Sequence, residues 1–302
     1  MNKKIIILLS TYNGEKYLKQ QLDSLQTQIY KEFEIIARDD GSSDSTVEVL
    51  KLYKIKLLET KQNLGAKISF ATLLNHALAH SDAEYFMFCD QDDVWENDKV
   101  EKTLLKMQEA EKSYPKQPLL IHSDLKVVNE DLSVLADSLW TYQNINPAKD
   151  TLNRLLLHNV VTGCTMMINR ELGTLVTNIP NEAIMHDWWI AMVASAFGKI
   201  AYIDESLMLY RQHGKNDTGA KQYGLRYFFK KFFTKPSFEK YILQSKAFLE
   251  LYGKDMNAYD RKMLEEFSTF HELTKCERLK VLYKYKIWKN GLMRNIGLVL
   301  FA

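Results

Sequence analysis

Tyr85-Phe86-Met87-Phe88-Cys89-Asp90-Gln91-Asp92-Asp93-Val94-Trp95 is the stretch on which the reading of the whole chain turns. Its first five residues form a continuous apolar run, as a strand buried on both faces requires. Three carboxylates then fall within four positions. Such a cluster at the end of a buried strand is electrostatically costly unless a cation or a set of donors sits beside it. Mg2+ and Mn2+ take oxygen ligands, one or two of them carboxylates, and leave the remaining positions to substrate phosphates. The stretch therefore reads as a strand edge that presents a metal to a diphosphate. An acidic turn capping the next helix would use the same residue types, so the surrounding chain has to decide.

Working outward to the N-terminus, apolar strand-like runs alternate with segments of helical period. Residues 4–9 are rich in Ile and Leu, residues 33–37 give a second strand, 55–59 a third and 85–89 a fourth. Between them, 14–28 places Tyr17, Leu18, Leu22 and Leu25 on one helical face, 44–53 is a helix begun by Ser42-Ser43-Asp44 as cap candidates, and 66–80 gives a third helix. Strict alternation predicts a doubly wound α/β fold with a mostly parallel sheet. Ligands of such sheets bind beyond the carboxyl ends of the strands. That is where the polar clusters lie: Ser10-Thr11-Tyr12-Asn13-Gly14, Arg38-Asp39-Asp40-Gly41-Ser42 and Asp90–Asp93.

Residues 118–215 are more mixed, with strands expected at 119–122, 164–168 and 200–203 and helices at 150–158, 170–177 and 187–197. Beyond about 220 no strand pattern remains. Residues 226–233 set Phe228, Phe229, Phe232 and Phe233 against Arg226 and Lys230, and 277–289 and 292–301 are again helical. This divides the chain into a catalytic domain, 1–220, and a basic, aromatic-rich helical extension, 221–302. The charge supports the division: 221–302 holds 17 Lys and Arg against 8 Asp and Glu, while 1–220 holds 23 against 30. A basic tail on an acidic body calls for an anionic partner, and amphipathic basic helices suit a membrane interface; packing on the catalytic domain is the alternative. Without a nucleic-acid motif beside that charge, no nucleic-acid role is expected. Cys89, Cys164 and Cys276 are too scattered for a disulfide framework or zinc site. Residues 5–9 are too short for a signal core, and no run is long enough to span a bilayer. The expected location is cytoplasmic, peripheral at the inner face of the membrane.

The strand-end clusters have a shared chemistry. Asp39 and Asp40 suit a base N–H and a ribose hydroxyl, Gly41 permits a tight turn, Tyr12 can stack on a base and Thr11 can bond the nucleotide. Asp187 is flanked by Trp188 and Trp189, which could wall a sugar and tune the carboxylate, although Asp187 could equally cap its helix with the tryptophans in the core.

The chain resembles the inverting glycosyltransferases of family 2, with the nucleotide-diphospho-sugar transferase fold called GT-A. The resemblance covers residues 3–216 and rests on six motifs in the family order: Leu9-Ser10-Thr11-Tyr12-Asn13-Gly14, Asp39-Asp40-Gly41-Ser42-Ser43-Asp44, Asn63-Leu64-Gly65, Asp90-Gln91-Asp92-Asp93, His186-Asp187-Trp188-Trp189 and Tyr210-Arg211-Gln212-His213. It implies nucleotide contacts from Thr11, Tyr12, Asn13, Glu15, Asp39, Asp40, Asn63 and Asp90. Asp92 and His213 would hold Mn2+ or Mg2+, Asp187 would be the general base, Trp188, Trp189 and Asp93 would line the sugar or acceptor pocket, and Arg211 would meet the diphosphate. One base suffices for inverting transfer when a metal stabilises the leaving diphosphate. The implied substrates are a nucleotide sugar and a glycan or lipid-linked glycan.

The Asp90–Trp95 motif with His-Asp-Trp-Trp and Tyr-Arg-Gln-His is most similar to the rhamnosyltransferase-like members, which use dTDP-L-rhamnose in bacterial surface polysaccharide. A UDP-hexose or UDP-N-acetylhexosamine donor is the alternative. A sugar-nucleotide pyrophosphorylase would need a glycine-rich basic loop after the first strand, which Thr11-Tyr12-Asn13-Gly14-Glu15 does not supply. A processive synthase would need membrane spans. A non-catalytic scaffold would leave the acidic run without a purpose.

Overall fold

A computed structural model describes residues 4–58, 60, 62–214 and 237–302. The expected alternation is present: β1 (Ile5–Thr11), α1 (Glu15–Gln26), β2 (Phe33–Asp39), α2 (Thr46–Leu52), β3 (Lys56–Leu58), α3 (Gly65–His80) and β4 (Tyr85–Cys89). The order then becomes irregular, with β5 (Val94–Trp95), α4 (Lys99–Ser113), β6 (Leu119–Val128), β7 (Val134–Ala136), α5 (Leu139–Gln143) and α6 (Leu152–Leu155). A 3-10 turn at Gly163–Thr165 precedes β8 (Met167–Asn169), α7 (Arg170–Leu175), α8 (His186–Phe197) and β9 (Lys199–Arg211). Helices α9 (Glu239–Tyr252), α10 (Ala258–Ser268), α11 (Lys275–Lys284) and α12 (Leu292–Phe301) follow.

Among the described residues nine strands join one sheet in the order β3-β2-β1-β4-β8-β6-β9-β5, with β7 beside β6. β1, β2, β3 and β4 run parallel, and β8 is antiparallel between β4 and β6. β1 shows why its sequence is apolar without alternation. Ile6 and Leu8 enter one core, packed with residues of α3 and α8, while Ile5, Ile7 and Leu9 enter the other, with α1 and α4. A strand covered on both faces needs hydrophobic residues at every position.

Two pairings bring distant segments to one edge. Thr11 is opposite Asp39, and Leu9 is opposite Cys89, so the polar clusters after β1, β2 and β4 emerge together. Val94 pairs with Leu209 and Trp95 with Met208. That short antiparallel ladder carries Tyr210–His213 to the acidic turn.

The second half departs from the sequence reading. β6 and β9 are far longer than the expected four-residue strands, and they pair in parallel through register shifts near Ser123–Lys126. Bulges interrupt the two-residue period on which a strand is recognised. The expected strand at 164–168 is instead the 3-10 turn followed by the short β8. α4, α9 and α10 had no counterpart in the expected elements. The amphipathic stretch 226–233 and the boundary at 220 lie outside the described residues.

Helices α9–α12 share a core with α8. Trp189 of α8 meets Phe248 of α9 at 5.2 Å between ring centroids, and Met263, Phe267, Leu282, Ile287 and Leu298 are buried in the same cluster. Fully burying one such side chain stabilises by roughly 1.5–3 kcal/mol, so these helices are held by packing. Among the described residues, no helix is long and apolar enough to cross a membrane.

Candidate active site

A cavity of about 340 Å3 opens beyond the strand ends. Its wall includes Thr11, Tyr12, Asp40, Asn63, Asp90 and Asp92 from the parallel edge, and Asp187 from the first turn of α8. Seven of the expected residues therefore face one space. A larger cavity, about 710 Å3 among the C-terminal helices, is lined by none of them.

The edge formed by β1 and β2 is internally saturated. Asp39 Oδ1 accepts from Thr11 Oγ1 at 2.9 Å and Ser42 Oγ at 2.6 Å, and Oδ2 accepts from the Gly41 and Ser42 N–H groups at 3.1 and 2.8 Å. Asp40 Oδ1 pairs with the buried Arg38 guanidinium. Its Oδ2 accepts from Leu64 N–H at 2.9 Å and Gly65 N–H at 2.7 Å, the second donor made available by the positive φ of 76° at Gly65. Gln91 links this edge to β4: Tyr12 N–H donates to its Oε1 at 2.8 Å, and its Nε2 donates to Tyr12 C=O at 2.9 Å.

The acidic turn divides by face. Asp90 and Asp92 line the cavity. Asp92 Oδ2 lies 2.6 Å from His213 Nε2, and the imidazole packs on Tyr17 at 4.9 Å. Asp93 points the other way, fully buried. Burial, with the charges of Asp92 and Asp90, holds its carboxyl well above the usual range. Asp90, Asp93 and Cys164 place potential ligand atoms within 4.8 Å of one another. Burial also raises the Cys164 thiol, and a protonated soft ligand is a poor match for Mg2+ or Mn2+. Asp90 and Asp92 offer hard oxygens to the cavity, and His213 sets an imidazole against Asp92, donor types that a divalent cation accepts.

Asp187 lies across the cavity. Its Oδ1 accepts from Trp188 N–H at 2.6 Å and its Oδ2 from Gly163 N–H at 3.1 Å. Both bonds favour the carboxylate, yet desolvation outweighs them and pushes the pKa up to about 6. A carboxyl with that pKa is ionised near neutrality and still basic enough to take a proton.

Several expected residues sit elsewhere, and the reasons are physical. Trp189 is in the core against Phe248 and is fully buried. Trp188 donates its indole N–H to Leu155 C=O at 2.6 Å and packs on Tyr241. Successive helical residues point about 100° apart, so the residues after Asp187 turn inward. Asp93 is behind the strand end. Arg211 is buried with its Nε donating to Asp92 C=O at 2.9 Å and its Nη2 to Gln20 Oε1 at 2.6 Å. It braces the acidic turn from beneath and does not line the cavity. Asn13 accepts from Ser43 N–H at 2.8 Å and Glu15 from Ser45 N–H at 2.9 Å, so both tie loops together. Asp39 stands behind Asp40 in the same way.

Ser10, Phe70, Thr162, Gly163, His186 and Tyr210 also line the cavity, none of them singled out from sequence. His186 and Tyr210 lay inside recognised motifs, and their neighbours drew the assignment. Phe70 and Gly163 carried no local signal.

A doubly wound sheet with an acidic turn at the carboxyl end of β4 and a second carboxylate across the cavity defines a nucleotide-sugar transferase of the GT-A type. The chain belongs to glycosyl transferase family 2, whose pattern it matches over residues 6–173. An uncharacterized glycosyltransferase of Haemophilus influenzae is 25% identical over 98% of this chain and 95% of its own length. A putative teichuronic acid biosynthesis glycosyltransferase of Bacillus subtilis, TuaG, is 28% identical over 68% of this chain and 78% of its own. The dTDP-rhamnosyl transferase RfbG of Shigella flexneri is 25% identical over 70% and 74%. Among solved structures, S. aureus TarS with UDP-GlcNAc superposes with a TM-score of 0.58 at 15% identity, over 93% of this chain and 80% of that one. A Pyrobaculum calidifontis mannosyltransferase with GDP-Man and Mn2+ gives 0.51 at 14%, over 98% and 78%. At such identities the superpositions speak to the fold alone.

Proposed function

We propose that this glycosyltransferase inverts the anomeric centre of a nucleotide-activated sugar, with Asp187 as the general base. The observation that carries the reading is a carboxyl with a pKa of about 6 in the wall of the cavity that Asp90 and Asp92 also line. Asp187 takes the proton of an acceptor hydroxyl as its oxygen bonds to the anomeric carbon. The bond from that carbon to the diphosphate breaks, and the electron pair leaves with the diphosphate. Thr11, Tyr12, Asp40, Asn63 and Asp90 hold the nucleoside side of the donor. Asp92 and His213 would hold Mg2+ or Mn2+, which when bound neutralises charge on the leaving group.

The donor we favour is dTDP-L-rhamnose, supported by the motif set and by the rhamnosyl relative. A UDP-sugar is the second reading, favoured by the UDP-GlcNAc complex of a structural neighbour. The acceptor we favour is a growing or lipid-linked bacterial surface glycan, in line with the teichuronic acid relative. Residues 221–302 then associate with the inner face of the membrane. Two features support that: the basic tail, and an exposed apolar row of Leu292, Met293 and Ile296 on α12.

Calorimetric titration of the full chain with dTDP, UDP and GDP, with and without Mn2+, tests the assignment beside Asp92→Asn. Metal-dependent binding of dTDP above the others is expected, and its loss in Asp92→Asn. A preference for UDP would move the donor to a hexose or N-acetylhexosamine. Equal binding with and without metal would remove the cation from the reading.

A further inference from the structure

We propose that Tyr17 is a positioning residue for the Asp92–His213 pair, its ring holding the imidazole in the orientation that receives the divalent cation. The inference rests on the assignment of Asp92 and His213 to that cation and extends it to α1. Tyr17 is buried in the first turn of α1, where its N–H donates to Gly14 C=O at 3.1 Å. The helix that carries it therefore starts directly from the polar cluster after β1.

The ring joins both arms of the acidic site. The His213 imidazole packs against it at 4.9 Å between centroids, with 31° between the planes. The Arg211 guanidinium lies over it, with Cζ 4.6 Å from the ring centroid. At its tip, the Tyr17 hydroxyl donates to Glu130 Oε1 at 2.6 Å. Arg211 closes the frame through three donors. Nη1 donates to Glu130 C=O, Nη2 to Gln20 Oε1 at 2.6 Å and Nε to Asp92 C=O at 2.9 Å. One buried ring thus touches the His213 side chain and the arginine that braces the Asp92 backbone.

A histidine binds metal well when its neighbours hold its ring in one orientation. His213 Nε2 stands 2.6 Å from Asp92 Oδ2, so a small rotation of the imidazole would part the two groups. A flat ring beside the imidazole limits that rotation, and the bond to Glu130 keeps the flat ring from sliding. An aliphatic side chain would fill the space without presenting an aromatic face. Tyr17 is not part of the cavity wall, so its influence on the cation passes through His213.

The test is a double-mutant cycle on Mn2+ affinity, read by electron paramagnetic resonance of the full chain. Every variant is measured at one fixed excess of UDP, and again of dTDP. Tyr17→Leu is expected to weaken Mn2+ binding roughly tenfold, and Tyr17→Phe, which keeps the ring, by no more than about threefold. In a His213→Ala background the same Tyr17→Leu step should change Mn2+ affinity by less than about twofold, because the group it positions is gone. Should Tyr17→Leu not fold, Tyr17→Met takes its place in the cycle, its flexible chain filling the same space. Equal losses in both backgrounds, as a purely structural tyrosine would give, would overturn the proposal. So would the absence of any loss, or a loss in Tyr17→Phe as large as in Tyr17→Leu. Mn2+ affinity in His213→Ala alone within about twofold of wild type would instead remove the cation reading of His213 beneath it.

Discussion

At the carboxyl ends of β1 and β2, each oxygen of Asp39 and Asp40 already has a protein donor, whereas at the start of α8 neither buried nitrogen of His186 has a partner among the described residues and Asp187 holds its proton up to about pH 6. One side of the cavity is braced before any ligand arrives, so that Asp40 would meet the nucleoside from a fixed position. The other carries groups whose environment is unfavourable until one arrives. Saturated carboxylates fix loop geometry and belong to the folding free energy; perturbed, open groups are what chemistry requires, and they detract from stability. The two sides should therefore answer substitution differently.

The largest effect is expected at Asp187. Asp187→Asn removes the base, and transfer should fall about 10^3-fold or more while calorimetric nucleotide affinity holds. In wild type, kcat/KM should rise about tenfold per pH unit below about 6 and level off above it. The linkage sign follows from a folded pKa raised above the unfolded value. The native state favours the protonated carboxyl, so carrying it ionised detracts from stability above pH 6. Asp187→Asn should accordingly be more stable than wild type at pH 8, by up to about 3 kcal/mol, and gain nothing at pH 4. His122 and His186 act in the opposite sense: both are buried with pKa values pushed down to about 3. Their contribution is intact above the unfolded value near 6.5 and is lost as pH falls towards 3. A rate profile thus needs a parallel folding signal, and an activity loss that tracks unfolding would not report on Asp187.

On the saturated side, Arg38→Met should strand the buried Asp40 carboxylate and destabilise the fold by about 3–5 kcal/mol in urea denaturation. Adding Asp40→Asn should recover part of that loss, since the two sites are coupled. Wild-type stability in Arg38→Met, with nucleotide binding lost, would break the contrast by making Asp40 a ligand-facing group first.

The same contrast explains what could be read from the chain. The β1–β4 half was legible because its strands are buried on both faces, and their polar ends fall at fixed positions after each apolar run. The residues around Asp187 were only half legible. Spacing marks the motif His186-Asp187-Trp188-Trp189, but which of its members faces the cavity depends on how α8 rolls against α9. That packing turns both tryptophans inward, stacks His186 on Phe70 and Phe88, and leaves Asp187 in the cavity wall. Arg211 misled for a related reason: a basic residue near a diphosphate motif suggests an anion contact, yet the β5–β9 ladder buries it under Asp92 and Asp93. The length of β6 and β9 was hidden by bulges that no local pattern announces.

The smallest effect is expected furthest from the cavity, and it extends the comparison to the C-terminal helices. Their inner faces are committed to the core through Phe248, Phe267, Leu282 and Leu298, while Leu292 and Ile296 stand 73% and 41% exposed on the outer face of α12. Lys280, Lys284 and Lys286 are exposed on or just beyond α11. An exposed apolar row in a region that also exposes cationic side chains, Lys284 among them in an ion pair with Glu266, suits an anionic lipid surface. Leu292→Asp with Ile296→Asp alters none of the buried contacts. It should lower co-sedimentation with anionic vesicles by roughly three- to tenfold, steeply reduced by salt in wild type, with transfer to octyl glycosides unaffected. Unchanged co-sedimentation would assign these helices to packing alone, leaving the acceptor to find the cavity from solution.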